Sequence, residues 1–181
     1  MPYSISSFKS EVMKKGLQRS HDYEFWVQAP ISGGGAMRHF VFTTESISLP
    51  GASFVSVSNY RPYGSGRVWD VPYAFNPQEI TATHMVDKNS DSLVFLHQWI
   101  SSITSMPENG QNISFVSYFD DYKAESAEIR LYDSSTKELT VTYCLYEVFP
   151  TSIDQVQMGW ANEEVAKVNV GYRFTDYEIK R

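Results

Sequence analysis

The feature that most constrains the fold is a long alternation of apolar and polar residues near the C-terminus. In residues 165–179 the apolar positions are Val168, Val170, Tyr172 and Phe174. The positions between them are polar or small: Lys167, Asn169, Gly171, Arg173 and Thr175. This period of two predicts a β-strand with one buried and one solvated face.

The predicted strands are unusually long. Residues 137–149 form a second extended pattern, and 13 residues span roughly 43 Å at about 3.3 Å per residue, whereas a typical strand has about five or six residues. The edges of such strands invite aggregation if they stay open. Long strands with one polar face therefore favour a large barrel or a sheet that continues across subunits.

The remaining patterns complete a mainly β domain, with two packed antiparallel sheets in a sandwich- or barrel-like arrangement over residues 1–181. Periods of two predict further strands at 21–29, 38–47, 54–60, 79–87, 112–119 and 127–133. One main helix is predicted at 90–104, with a cap at Ser90 or Asp91 and a stripe of Leu93, Leu96, Ile100 and Ile103. A short N-terminal helix is predicted at 7–15.

Two glycine positions carry specific expectations. Leu49-Pro50-Gly51 has the proline–glycine order of a type II turn, and could be either an internal corner or a contact between subunits. Gly171 is expected at a bulge that bends the last strand.

Composition excludes several classes of protein. A single cysteine, Cys144, excludes an internal disulfide framework and a cysteine-based zinc site. No apolar run approaches the roughly 18 residues of a membrane helix, and the N-terminus lacks the pattern of a signal peptide. We therefore expect a protein made in a reducing cytoplasm, or packaged from one.

The charge is acidic and unevenly distributed. The formal net charge is −6, with seven basic and four acidic residues in 1–67 against eight and seventeen in 68–181. A protein that holds nucleic acid tightly needs clustered cations, which this balance opposes. The asymmetry is either chance or a set of oppositely charged faces through which subunits meet.

The search for catalytic chemistry finds no constellation. His21, His39, His84 and His97 have no metal-ligand spacing, and Cys144 lies mid-strand, where a thiol is normally structural. The glycine run 33–35 lacks the lysine of a phosphate loop, and the acids at 120–121 fit no calcium loop, which favours a solvated acidic loop. We expect no enzyme activity, no cofactor and no bound metal.

The C-terminal third resembles a known family. Residues 143–153 read YCLYEVFPTSI, residues 158–166 read MGWANEEVA, and residues 172–177 read YRFTDY. This order of a long strand, an aromatic–proline corner, a tryptophan followed by Asn-Glu, and a final tyrosine-rich strand resembles the tail tube proteins of contractile-tailed bacteriophages. Further segments agree with that family in the same order, namely 8–16, 23–27, 49–51, 66–70, 79–86 and 91–103.

The resemblance implies a structural virion protein. Six copies would form a ring whose inner sheet closes into a continuous barrel, and stacked rings would form the inner tube of a contractile tail. The implied partners are further copies of itself, the sheath protein, the baseplate tube initiator and the tail terminator, with genomic DNA passing through transiently. The implied location is the phage tail, assembled in the host cytoplasm, without stable membrane association.

Site residues follow from the same comparison. Leu49, Pro50 and Gly51 are candidates for inter-subunit or ring-stacking contacts. The polar positions of the last strand are candidates for a lumen or sheath-facing surface: Lys167, Asn169, Arg173 and Thr175. Pro150 and Trp160 are expected to be fold-forming.

Three alternatives remain open at the level of sequence. A baseplate tube initiator or a tube terminator can share the fold. The inner tube of a contractile injection or secretion machine would carry protein instead of DNA. A soluble β-barrel that binds a small ligand is the alternative from another class, and would stay monomeric around an enclosed cavity.

Overall fold

The fold is built mainly from antiparallel β-strands, as the sequence predicts. The computed structural model describes residues 4–6, 9–10, 16, 18–30, 40–59, 69–105, 115–159 and 165–181. Its strands are β1 (Tyr23–Val27), β2 (Thr44–Ile47), β3 (Ala52–Asn59), β4 (Trp69–Pro77), β5 (Ile80–Met85), β6 (Thr104–Ser105), β7 (Phe115–Val116), β8 (Ala124–Tyr132), β9 (Leu139–Ile153), β10 (Lys167–Arg173) and β11 (Asp176–Lys180). Its labelled helices are α1 (Asp91–Ile103) and α2 (Phe119–Tyr122).

Two sheets share the long strand β9. Sheet A has the strand order β1-β8-β9-β11, and β9 contributes residues 139–148 to it. Sheet B has the order β9-β10-β5-β2, and β9 contributes residues 149–153 to it. β3 and β4 form a separate two-stranded ribbon, and β6 pairs with β7. One 15-residue strand therefore joins both layers of the fold.

The backbone of β9 is irregular where it passes between the sheets. Glu147 has a left-handed φ of 55°, an uncommon conformation for a residue other than glycine. Farther along, Ser152 opposes Gly171 whereas Pro150 opposes Tyr172, so the register shifts by one residue. The bulge expected at Gly171 is therefore confirmed, although the extra residue belongs to β9.

The core lies between the two sheets and α1. Its largest fully buried side chains include Trp99, Tyr172, Phe25, Phe40 and Ile80. The indole Nε1 of Trp99 donates a hydrogen bond to the carbonyl of Tyr122 at 2.7 Å, so the polar edge of this buried ring is satisfied.

A buried histidine ties sheet B together inside this core. The Thr44 hydroxyl donates to the Phe40 carbonyl at 2.6 Å, so it must accept from Nδ1–H of His84 at 3.1 Å. The other ring nitrogen, Nε2, then accepts from the hydroxyl of Tyr172 at 3.1 Å. Burial lowers the pKa of His84 from 6.5 to about 4, which keeps the ring neutral near neutral pH.

The main helix agrees with the sequence in length but not in rotation. Its buried positions are Ser92, Phe95, Leu96 and Trp99, so the expected Leu93–Ile100–Ile103 stripe is displaced around the helix. Ser90 is the N-cap residue but makes no side-chain cap. The carboxylate of Asp87 instead accepts from the backbone N–H and the hydroxyl of Ser92.

Several predicted strands are wrong in part. Residues 40–43 of the expected strand 38–47 are helical, and only Thr44–Ile47 pairs with β5. The expected strand 165–179 is two strands with different partners, because β10 pairs with β5 and the end of β9 whereas β11 pairs with the start of β9.

The segment from residue 112 to 121 also departs from expectation. Only Phe115–Val116 is extended among the described residues there, and the expected acidic loop contains α2. Residues 5–6 and 9–10 are helical, while most of the predicted helix 7–15 lies outside the described residues. Among the described helices, none has the length and apolar character needed to span a membrane.

Candidate assembly surfaces

The β3–β4 ribbon exposes apolar side chains that a lone subunit leaves uncovered. Phe54 is 65% exposed and Tyr73 is 67% exposed. Their exposed apolar neighbours on the ribbon are Val55, Val57, Val71 and Phe75. Exposed apolar side chains concentrated on one two-stranded ribbon make it a candidate interaction site, and one of them, Phe75, also contacts Tyr177 in β11 with 6.2 Å between the ring centres.

This ribbon continues the β2–β5 pair of sheet B. The Ser48 backbone N–H donates to the carbonyl of Thr81 at 2.9 Å, and the Gln78 N–H donates to the carbonyl of Gly51 at 3.1 Å. Hydrogen bonds therefore bridge the break between the two strand pairs. The apolar ribbon extends from one end of sheet B.

Leu49, Pro50 and Gly51 form this junction between β2 and β3. Leu49 is 46% exposed, and the other two are half-buried. The expected type II turn is wrong, because Gly51 has no positive φ. A Cβ at position 51 would meet only the end of the exposed Gln78 side chain, which can move aside, so this contact does not by itself require glycine.

The polar face of β10 is exposed. Lys167 forms an ion pair with Glu45 at 2.6 Å, and Asn169 accepts a hydrogen bond from the Thr83 hydroxyl at 2.8 Å. Arg173 lies 3.8 Å from Glu79. Thr175 lies beyond the end of β10, between the two last strands, so it does not share this face.

Small hydroxyl side chains surround the two ion pairs. Thr81 and Thr83 oppose Gly171 and Asn169 across the β5–β10 pair. Thr151, in the bulge of β9, donates to the carboxylate of Glu79 and contacts the Gly171 carbonyl at 3.1 Å. Sequence reasoning missed both carboxylate partners, because the strand order and register are needed to bring them near the cations.

The outer face of sheet A has larger side chains. The guanidinium of Arg130 lies 5.0 Å from the ring centre of Trp26, and one of its nitrogens is 2.6 Å from Glu128. That hydrogen bond raises the pKa of Arg130. Nearby, Glu178 accepts from Tyr146 at 3.0 Å, and this bond, with Lys180, lowers the pKa of Glu178.

Sheet B has two lateral edges without a strand partner in the described part of the chain. One edge is β2, and the other is the end of β9, residues 149–153, on the side away from β10. The latter segment, Phe149–Ile153, contains no charged residue, and its only interruptions are Pro150 and the bulge at Thr151, two devices by which edge strands limit pairing. Open edges of this kind are templates for pairing with another chain.

Pro150 and Trp160 are the two positions expected to be fold-forming. Pro150 is buried in β9 opposite Tyr172, where the bulge tolerates its missing N–H. It lies inside the strand, so the expected end of the strand at this proline is wrong. Trp160 lies outside the described residues.

The described residues contain no cluster of histidine, cysteine and carboxylate groups able to hold a metal ion. Cys144 is buried in β9. The exposed features of the described residues are an apolar ribbon, two open strand edges and two polar faces.

The profile of the phage tail tube protein family matches residues 2–180. The chain belongs to the phage tail tube protein family. The expectation drawn from the C-terminal motifs is thereby confirmed, and tail tube proteins are components of the phage tail. A search of curated sequences finds no significant match.

Solved structures agree on the fold. A chain in the sheath–tube complex of an extracellular contractile injection system (PVC, extended state) shares 17% identity, with 94% of this chain and 96% of that chain covered at a TM-score of 0.64. A chain in the anti-feeding prophage baseplate shares 12% identity, with 91% and 95% covered and a TM-score of 0.64. A chain in the cap that terminates the anti-feeding prophage tube shares 17% identity, with 91% of both chains covered and a TM-score of 0.62.

Proposed function

We propose that six copies of this tail tube protein form a ring through the open edges of sheet B, and that stacked rings form the inner tube of a contractile phage tail. The observation that carries the proposal is the pair of open edges of sheet B, a four-stranded sheet that has one face packed on the core. A ring closes both edges at once, and closure is the only arrangement that removes edges completely.

Strand direction supports this closure. Neighbouring strands in sheet B are antiparallel throughout, so with four strands the two edges, β9 and β2, run in opposite directions. Rotation about an axis along the tube keeps the strand directions of every copy the same. β2 of one subunit then meets β9 of the next as an antiparallel pair, which continues the pattern without interruption.

Ring stacking is assigned to the β3–β4 ribbon. Its exposed apolar residues extend from the end of sheet B, and Leu49, Pro50 and Gly51 join it to that sheet. A head-to-tail contact of this kind repeats without limit, which produces a filament. The role is structural and non-enzymatic, with sheath, baseplate initiator and tail terminator as partners, and genomic DNA as the passing cargo.

Solved relatives support these partners. The similar chains come from a sheath–tube complex, a baseplate and a tube-terminating cap. A chain with the same fold therefore occurs in assemblies of each type. The exposed polar positions Lys167, Asn169, Arg173 and Thr175 remain candidates for the lumen or the sheath-facing surface.

A paired-cysteine experiment tests ring closure. Ser46→Cys and Ser152→Cys place one thiol on each edge of sheet B, in a Cys144→Ser background. Within one subunit these strands are three positions apart, about 14 Å at about 4.8 Å per strand, which is too far for a disulfide. Bonds between neighbouring subunits should therefore give a ladder on a non-reducing gel that ends at six.

The control is Ser46→Cys combined with Glu178→Cys, which moves the second thiol to sheet A. This pair should give no ladder. The ring proposal is wrong if the sheet B pair stays monomeric in tubes verified by electron microscopy, or if the control pair gives the same ladder.

A further inference from the structure

We infer that the outer face of sheet B is the wall of the tube lumen, and that Glu45 and Glu79 neutralise its two cations so that double-stranded DNA passes without binding. The inference rests on the proposed tube. It assigns the surface that lines the lumen and the residues that keep this surface from binding DNA.

Each cation of the described strands of sheet B has a carboxylate partner: that of Lys167 lies on β2, two strands from β10, and that of Arg173 lies immediately before β5. Lys167 of β10 pairs with Glu45 of β2 at 2.6 Å. Arg173 at the other end of β10 lies 3.8 Å from Glu79, which Thr151 also holds by a hydrogen bond. The cations thus lie at the two ends of the face, and neither is presented to solvent alone.

The space between the two ion pairs contains no cation among the described residues. Thr81, Thr83, Asn169, Gly171 and Ser152 occupy it, and the Thr83 hydroxyl donates to Asn169. Its charged neighbour is an acid, the exposed Asp154, whose backbone N–H donates to the Asn169 carbonyl at 2.9 Å. These side chains are short and polar. They present neither an apolar surface that would hold a polypeptide nor a free cation that would hold a phosphate.

The position of the core indicates which face of sheet B is the inner one. In a ring closed through the edges of sheet B, the core and sheet A must lie on the outer side if the channel is to stay open, which leaves the solvent-exposed face of sheet B toward the lumen. Between its ion pairs this face presents threonine, serine, asparagine and glycine, whereas sheet A presents Trp26, Arg130, Tyr132 and Tyr146. The apolar ribbon also continues sheet B, so a wall made from sheet B extends along the axis toward the next ring.

Multiplicity makes the neutralisation important. Two cations per subunit become twelve in a ring of six, repeated in every ring. Each phosphate neutralised by a free cation contributes to binding with a salt dependence close to one ion per contact, so an unmasked wall would hold DNA strongly. A carboxylate 2.6–3.8 Å from each cation cancels most of this attraction at distances larger than that separation, and therefore within the Debye length of about 8 Å at physiological salt, where an unpaired cation would still attract phosphate.

The test compares equal charge changes on the two faces. Tubes of Glu45→Gln/Glu79→Gln expose Lys167 and Arg173, and tubes of Glu128→Gln/Glu178→Gln expose Arg130 and Lys180. Each is mixed at low salt with short fluorescent double-stranded DNA, treated with DNase and pelleted. The sheet B variant should retain about tenfold more nuclease-protected DNA than wild type, and lose it at high salt. The sheet A variant should bind DNA that the nuclease removes.

The assignment is wrong if the sheet A variant protects the DNA, and the role of Glu45 and Glu79 is wrong if their variant retains no more DNA than wild type.

A second measurement covers variants that do not assemble. Thr83→Cys and Glu178→Cys, each in a Cys144→Ser background, are treated with a small maleimide and with a maleimide on a large polyethylene glycol.

In intact tubes Thr83→Cys should react with the small reagent alone, whereas Glu178→Cys should react with both reagents or be hidden from both. In dissociated subunits both sites should react with both. Reaction of Thr83→Cys with the large reagent in intact tubes overturns the lumen assignment while leaving the tube itself intact. Absence of tubes in every preparation, wild type included, counts instead against the proposed function.

Discussion

Replacing the buried histidine should change how the subunit responds to acid. His84 is fully buried, and its two ring nitrogens join Thr44 of β2 to Tyr172 of β10. Protonation would place a second N–H where the Tyr172 hydroxyl donates, and would put a charge in an apolar core. His84→Gln removes the titrating ring while keeping a polar side chain.

The sign and size follow from the pKa. The folded value, about 4, is below the unfolded value of 6.5, so the unfolded chain binds the proton more readily. The histidine's contribution is fully present above about pH 6.5 and is lost as the pH falls toward about 4. At about 1.36 kcal/mol per pKa unit the total is about 3 kcal/mol, of which about 2 kcal/mol is lost between about pH 7 and about pH 5.

The assay is urea unfolding of dissociated subunits by tryptophan fluorescence, repeated between about pH 7 and about pH 5. Wild type should lose about 2 kcal/mol of unfolding free energy across this range, and His84→Gln should lose less than half of that. His97→Gln is the matched control, because His97 is exposed on α1, and it should behave as wild type. Equal losses in wild type and His84→Gln would refute the reasoning.

Three further predictions concern the core and the assembly surfaces. Trp99→Ala should lower the unfolding free energy by about 3–5 kcal/mol in the same urea assay, because a fully buried ring is removed; a loss below about 1 kcal/mol would contradict its placement. Phe54→Ser with Tyr73→Ser should leave that free energy within about 0.5 kcal/mol of wild type yet abolish stacked tubes in electron micrographs, and normal tubes would show that the ribbon is not a contact. Pro50→Ala with Gly51→Ala should shorten or abolish tubes, and tubes of normal length would assign this junction an internal role alone.

Sequence periodicity predicted the strands well where one face is packed on the core. The buried positions of β5 alternate as the pattern requires, and those of β10 do so except at Gly171, which is buried as well, because the core covers only one face of each strand. The break at Thr175 was missed because Phe174 and Tyr177 keep apolar character across it. At this point the strand changes its pairing partner. The partner is set by the tertiary fold, so the local sequence pattern does not reveal the change.

The main helix shows a second limit of pattern reading. Leu96 lies on both the predicted and the observed stripe, but the observed face centres on Phe95 and Trp99. The apolar surface of the helix is wide, so either rotation about the helix axis would bury apolar side chains. The shape of the sheets against which the helix packs decides which rotation is adopted. The helical turn at 40–43 similarly depends on Phe40, whose ring packs edge-on against His84 in the core.

The candidate surfaces could be predicted only in outline. Exposure of Lys167, Asn169 and Arg173 follows from alternation along β10, whereas their partners depend on strand order and register. The type II turn is wrong at Gly51, whose φ is not positive, because a Pro-Gly dipeptide permits such a turn but does not require it. The open edges of sheet B emerge only when all strand pairings are known.

The central claim is that this chain builds a hollow tube through sheet B. The most direct measurement is electron microscopy of the purified protein over a concentration series, with and without a supplied baseplate. The account predicts six-fold rings or long hollow tubes whose length grows with concentration or from the baseplate. A monodisperse monomer at every concentration that also fails to extend the baseplate would contradict it.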